Sequence, residues 1–207
     1  MKTKAHVNIK RIEERLIQTA IKLARKGEGG LFVIVSDKKP PFKLLIKQNI
    51  KPFKITETRN EKLTESLATI DGAVIVNKEG MLIAYGAMIK DSMPFRGHGT
   101  RHAAALAASR GNNVSILSSE EERKVKIFKN GRYIMQLDAL EKNIENNLSQ
   151  VGLFLESIGA GFLGTIGVVT LLPALGVTII PGVIIFGSSY YAIKSLIEEL
   201  SKKNKKK

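Results

Sequence analysis

Apolar residues recur at helical spacing at Ile12, Leu16, Ile17, Ala20, Ile21 and Ala24, and Lys26-Gly27 then closes the run as helix C-termini favour. The next apolar block, residues 31–35, is short, continuous and rich in β-branched side chains. It lies between Gly29-Gly30 and Ser36-Asp37, which predicts a buried strand. Residues 38–62 are polar and basic with Pro40, Pro41 and Pro52, a loop carrying one edge strand, and a short helix follows over 61–68. Two strands over 73–76 and 81–87 flank the hairpin turn Asn77-Lys78-Glu79-Gly80. After a loop over 91–99, residues 100–109 are alanine-rich and helical, with Gly111 just past the end. A strand over 114–117 precedes two more over 124–128 and 133–137, joined by Asn130-Gly131, a type I′ hairpin signal. Residues 138–150 read as a polar helix. Strands interleaved with helices predict an α/β fold, and the hairpins make its twisted central sheet mixed, with helices flanking it.

The pattern breaks at the C-terminal end. No charged residue occurs from Ser157 to Ile193, whereas a membrane span needs about 20 mostly apolar residues. Two spans fit, over 151–172 and 177–197, broken near Pro173 and Gly176, with small residues at Gly159, Gly161, Gly164 and Gly167 suited to close helix contact. This predicts a folded domain over 1–150 and, over 151–207, an α-helical transmembrane hairpin with a basic tail. An even number of spans and the positive-inside rule put that tail and the domain on the cytoplasmic side of the cell membrane, as a multi-pass protein. A buried helical hairpin is the alternative, disfavoured by Pro181 and the glycines.

Charge narrows the partners. The net charge of +14 favours polyanions: nucleotides, nucleic acid or anionic lipid. Aromatics are only 6% and tryptophan is absent, so base-stacking platforms are sparse and no specific nucleic-acid partner is expected. The absence of cysteine excludes disulfides, thiol catalysis and cysteine-ligated zinc. The N-terminal residues lack the apolar core of a secretory signal.

Candidate chemistry gathers at three places. Thr100 follows Gly97 and Gly99 and opens a helix as a candidate N-cap, where free amides and the helix dipole form an anion site. Arg101 and His102 in that first turn oppose the dipole unless a phosphate is bound there; the plainer reading is a glycine loop with solvated charges. Asp71 stands at the entrance to the strand over 73–76, beside Gly72 and Ala73. Alone it is an ordinary Asp-Gly turn, but a carboxylate facing a phosphate-binding helix end is one way to hold a divalent metal. Ser118-Ser119-Glu120-Glu121 leaves the end of the strand over 114–117. If the strands are neighbours, all three clusters meet at one edge of the sheet. Gly159-Ala160-Gly161-Phe162-Leu163-Gly164 matches a dinucleotide fingerprint but lacks its strand–turn–helix setting.

Asp71-Gly72-Ala73, Gly99-Thr100-Arg101-His102 and Ser119-Glu120-Glu121, in this order, resemble the signature of the diadenylate cyclase (DAC) domain over roughly residues 8–140. The resemblance implies condensation of two ATP molecules into cyclic di-3′,5′-AMP with release of two pyrophosphates, each 3′-oxygen attacking the α-phosphorus of the other ATP. It implies a homo-oligomer with two domains face to face, each holding one ATP. Asp71, with Glu121 or its neighbour Glu120, would hold Mg²⁺ or Mn²⁺. Gly72, Ala73, Gly99, Thr100, Arg101, His102 and Ser119 would line the ATP site, Asp71, Arg101 and His102 would carry the catalysis, and the backbone from Ala87 and Met88 to Ile89 would border adenine. One departure stands out: the family commonly reads Arg-His-Arg where this chain has Arg101-His102-Ala103, so a cationic contact is missing or comes from Arg96 or Arg123. An ATP-binding pseudoenzyme and a non-catalytic basic membrane adaptor are the alternative readings.

Overall fold

The computed structural model describes residues 2–90, 99–159 and 182–185. Its first element, α1 (Lys2–Lys26), buries Ile12, Leu16, Ile17, Ala20, Ile21, Leu23 and Ala24 completely along one stripe. The helix starts well before the apolar periodicity does. It stops at Gly27, whose φ of +76° lets the Gly27 amide reach Ala24 O at 3.0 Å and the Glu28 amide reach Leu23 O at 2.9 Å. That pair of bonds satisfies the last carbonyls and turns the chain straight into β1 (Gly30–Val35).

β2 (Phe42–Leu44), α2 (Glu61–Ala68), β3 (Ala73–Asn77), β4 (Leu82–Ile89), α3 (Thr100–Ala108), β5 (Val114–Ser119), β6 (Lys124–Lys129) and β7 (Arg132–Asp138) follow, then α4 (Leu148–Gly159) and β8 (Val183–Ile185). Among the described residues they form one eight-stranded sheet in the order β2-β4-β3-β1-β5-β6-β7-β8. β1 and β3 run parallel and every other neighbouring pair is antiparallel. The mixed α/β sheet flanked by helices is therefore as expected, and so are both hairpins, with Asn130 and Gly131 at positive φ.

The two faces are covered unequally. α1, α2 and α4 seal one face over Phe32, Ile34, Val74, Val76, Ile116, Val125 and Ile127. Among the described helices α3 covers the other, with Ala105 and Ala108 set on Leu31, Val33, Ala73, Ile75 and Phe128. Its alanines let the helix lie close to the strands. Ionic pairs tie the first layer together: Arg15 and Lys22 both reach Glu61 of α2, and Arg25 reaches Glu145. The Lys22 hydrogen bond, with the Arg15 charge beside it, holds the Glu61 carboxyl below the usual range against the opposing effect of burial.

Two expectations need correction. Residues 138–150 are not one helix: Asp138 ends β7, its carboxylate accepts the Leu140 amide at 2.9 Å, and a 3₁₀ turn over Ile144–Asn147 precedes α4. Asp and Asn side chains that bond nearby backbone compete with helix there. The other concerns the residues just past the expected boundary at 150 and in the expected hairpin over 151–197, of which those described pack on the sheet. Val151 and Leu155 of α4 are buried in the domain core, Lys129 Nζ donates to Leu155 O at 2.8 Å, and Val183–Ile185 extend the sheet beside β7. Residues assigned to both spans thus belong to the domain. Among the described residues no helix is long and apolar enough to cross a membrane; the rest of the two expected spans and the basic tail lie outside the described residues.

Candidate nucleotide site

Register decides which loops meet. Leu31 pairs with Ala73, Ala73 with Ala87, and Gly30 with Ser118. The entrances to β1 and β3, the exit of β4 and the β5–β6 turn therefore share one end of the sheet. Asp71, Gly29, Met88 and residues 119–123 all lie at that end. The start of α3 reaches it too, because Arg101 Nη1 is 3.2 Å from Glu120 Oε2 and both side chains lie against Gly29. The three clusters separated in sequence are brought together.

Close packing explains the glycines. Gly72 has φ +100°, and a Cβ there would stand 2.7 Å from Ala87 N and 2.7 Å from Gly86 C. Gly86 itself has φ +58°, at a break in the β3–β4 register. Strand β4 can therefore press against the Asp71-Gly72 bend. Asp71 is exposed, its Oδ1 accepting the Gly72 amide at 3.1 Å. Ala73 and Ala87 are buried backbone partners, whereas Met88 is 44% exposed.

At the helix start, Gly99 rather than Thr100 is the N-cap, with φ −72° and ψ 178°, and Thr100 is the first helical residue. Among the described residues no side chain caps this end. A glycine cannot do so, and the first-turn amides are left for another acceptor. A Cβ on Gly99 would meet nothing within 4 Å among the described residues, so the approach is open. Thr100 is exposed; Arg101 and His102 are half-buried.

The turn after β5 holds a network that the sequence did not announce. Ser119 is buried, and its Oγ accepts the Glu122 amide at 3.4 Å, which shapes the turn. Glu120, Glu121 and Glu122 are all exposed. Glu122 nevertheless pairs with Lys126, which is only 1% exposed, and lies 4.0 Å from His102 Nε2 and from Lys124 Nζ. Burial pushes the Glu122 carboxyl up, but the Lys126 bond and the charges of Lys126, Lys124 and His102 outweigh it and hold it below the usual range. Burial and the Glu122 charge push the Tyr133 hydroxyl up, so it stays protonated and bonds to Gln136 at 2.8 Å. In β6, Lys124 and Lys126 alternate with Val125 and Ile127, a pattern that ordinarily marks a solvated face. The burial of Lys126 is a tertiary fact that the alternation does not carry.

A depressed carboxylate stabilises the fold above its ordinary value of 4.5, and the contribution is lost as pH falls through the lower folded value. Glu122→Gln is expected to lower the melting temperature by several degrees at pH 7, because Lys126 loses its carboxylate. The gap to the unsubstituted protein should narrow below pH 4.5. A gap that stays constant across the acid range in calorimetric scans would contradict this.

One further assignment changes. Arg123 donates through Nη1 to Arg25 O at 2.6 Å and packs on Gly27, so it holds the end of α1 and does not replace the missing arginine. Ala103 is buried; Arg96 lies outside the described residues. Among the described residues, no three His, Cys, Asp or Glu side chains converge as a resident metal centre would need. One or two exposed carboxylates, Asp71 and Glu121, instead suit a divalent ion that arrives with nucleotide phosphates, since Mg²⁺ is usually held in that way.

A family model described as DisA bacterial checkpoint controller nucleotide-binding matches residues 17–133, which contain every element of this site. A diadenylate cyclase of Methanocaldococcus jannaschii is 25% identical over 142 residues, or 62% of this chain and 46% of that protein. The chain thus spans about half the length of that curated relative. Among solved structures, a double mutant of DacA from Staphylococcus aureus aligns at 18% identity with a TM-score of 0.46, over 67% of this chain and 93% of that one. A hypothetical membrane spanning protein from Bacillus cereus aligns at 23% identity with a TM-score of 0.42, over 56% and 59%.

Proposed function

The chain belongs to the DisA bacterial checkpoint controller nucleotide-binding family, and from that premise we propose that it is a diadenylate cyclase, condensing two ATP molecules into cyclic di-3′,5′-AMP and two pyrophosphates. The observation that carries this reading is the meeting, at one end of the sheet, of the Asp71 bend and the uncapped start of α3. The curated relative, itself a diadenylate cyclase, supports the same chemistry.

In this reading the amides of the first turn of α3 receive phosphate oxygens, aided by the helix dipole. Arg101 leaves its exposed pair with Glu120 to hold a phosphate, a cheap exchange because surface ion pairs contribute little. Glu122 and Lys126 hold the His102 ring at its place against the helix start. The Asp71 and Glu121 carboxylates would hold Mg²⁺ or Mn²⁺ together with the triphosphate. That ion would supply charge neutralisation and a lowered pKa for the attacking 3′-hydroxyl. Met88 and the exit of β4 border the base. A second copy must present its own site face to face, because each ATP supplies the 3′-oxygen that attacks the other.

The test is to incubate the full chain with ATP and Mn²⁺ and weigh the products. Cyclic di-AMP with two pyrophosphates per molecule is expected. A second reading, an ATP-binding protein without turnover, is favoured by buried Ala103 and by Arg123 being engaged elsewhere. It predicts saturable ATP binding and no cyclic product with any divalent metal. Membrane attachment would rest on the uncharged stretch outside the described residues. Recovery of the full chain in a carbonate-resistant membrane pellet tests that part, and extraction by carbonate contradicts it.

A further inference from the structure

The C-terminal end of α3 carries a second basic feature, apart from the helix start that the nucleotide reading uses. A cavity of about 190 Å³ opens between this end of the helix, the loop after β1 and Lys90, which follows the β4 exit beside the nucleotide site. Lys38, Lys39, Lys90 and Arg110 line it, and among the described residues that line it none is acidic. Pro40, Pro41 and Ala107 supply apolar wall.

The frame is built without help from any ligand. Asn113 is 1% exposed; its Nδ2 donates to Lys38 O at 2.9 Å and Ala108 O at 3.2 Å, and its Oδ1 accepts the Ser36 amide at 3.0 Å. One buried side chain thereby fixes the loop after β1 to the end of α3. The Lys90 amide donates to Pro41 O at 2.8 Å and fixes the other rim. The nearest carboxylate in this loop, Asp37, is turned to Asn112 at 3.2 Å. A cation near a helix C-terminus is stabilising, which accounts for Arg110. It does not account for three lysines around the same hollow, where like charges repel. An anion in the cavity reverses the sign of that repulsion.

We propose that this cavity is a binding site for a small phosphate-bearing anion, separate from the nucleotide site. The concave shape suits a compact phosphoryl or pyrophosphoryl group rather than the surface of a polymer. Ala107 is the first residue of α3 in the cavity wall, so about 10 Å of helix separates the cavity from the N-terminal end. The proposal does not depend on turnover.

Equilibrium binding of radiolabelled pyrophosphate to the full chain tests it, in parallel with Lys39→Glu, Lys90→Glu and Arg101→Ala. Both lysines are exposed, so the charge reversals leave the fold intact, which circular dichroism checks. Each reversal is expected to weaken a pyrophosphate site about tenfold or more, and Arg101→Ala is expected to leave that site unchanged. Displacement by AMP would identify a phosphate ester as the natural occupant, and displacement by inorganic phosphate alone a free anion. Pyrophosphate affinity unaltered in both lysine variants, or abolished by Arg101→Ala alone, overturns the proposal.

Discussion

Asp71→Asn is expected to reduce cyclic di-AMP formation by about 10³-fold while leaving the melting temperature essentially unchanged. The carboxylate is exposed and its Oδ1 accepts only the neighbouring Gly72 amide, at 3.1 Å, among the hydrogen bonds drawn at this bend. An asparagine oxygen can accept the same bond, so the bend keeps its shape. What disappears is the negative charge aimed at a metal-bound triphosphate. Turnover assays with ATP and Mn²⁺, set beside thermal melts, separate the two effects. A variant that loses both activity and stability would mean that Asp71 acts by shaping the bend.

The second large effect is structural. Gly72→Val should destabilise the protein by about 3 kcal/mol or more, since a side chain is added at φ +100° into a gap already closed by β4. For a chain of this size that is a fall in melting temperature of about 10 °C. ATP binding should weaken with it, because Ala87 and Met88 must move away from the bend. Gly99→Ala is the milder control: φ is −72° and, among the described residues, a Cβ there meets nothing within 4 Å, so its melting temperature should fall far less, by the cost of an alanine N-cap. Equal losses in the two variants would show that the close approach at Gly72 contributes nothing.

The layout of the domain was legible wherever local chemistry determines structure. The stripe from Ile12 to Ala24, the β-branched run at 31–35 and Asn130-Gly131 each specify their element with no help from distant residues. The site was legible as three motifs, and their convergence follows from one parallel pairing, β1 with β3, which no local pattern encodes. Where tertiary contacts decide, the local signal misleads. Lys126 alternates as a surface residue would and is buried, paired with Glu122, the acid of its turn that lies 4.0 Å from His102. Arg123 occupies a turn position at φ +53° and spends its guanidinium on the end of α1. Val151 and Leu155 read as the start of an apolar span because a core helix and a membrane helix share one composition over so short a window.

The central claim is that the strand-entry carboxylate and the helix start hold one metal–nucleotide complex between them. A double-mutant cycle on Mn²⁺–ATP affinity tests it most directly, using Asp71→Asn, Arg101→Ala and the pair in the full chain. Groups that share a ligand couple, so the double variant should bind more tightly than the sum of the single losses requires, by about 1 kcal/mol or more. Strictly additive losses would contradict the account, placing the two residues on separate ligands.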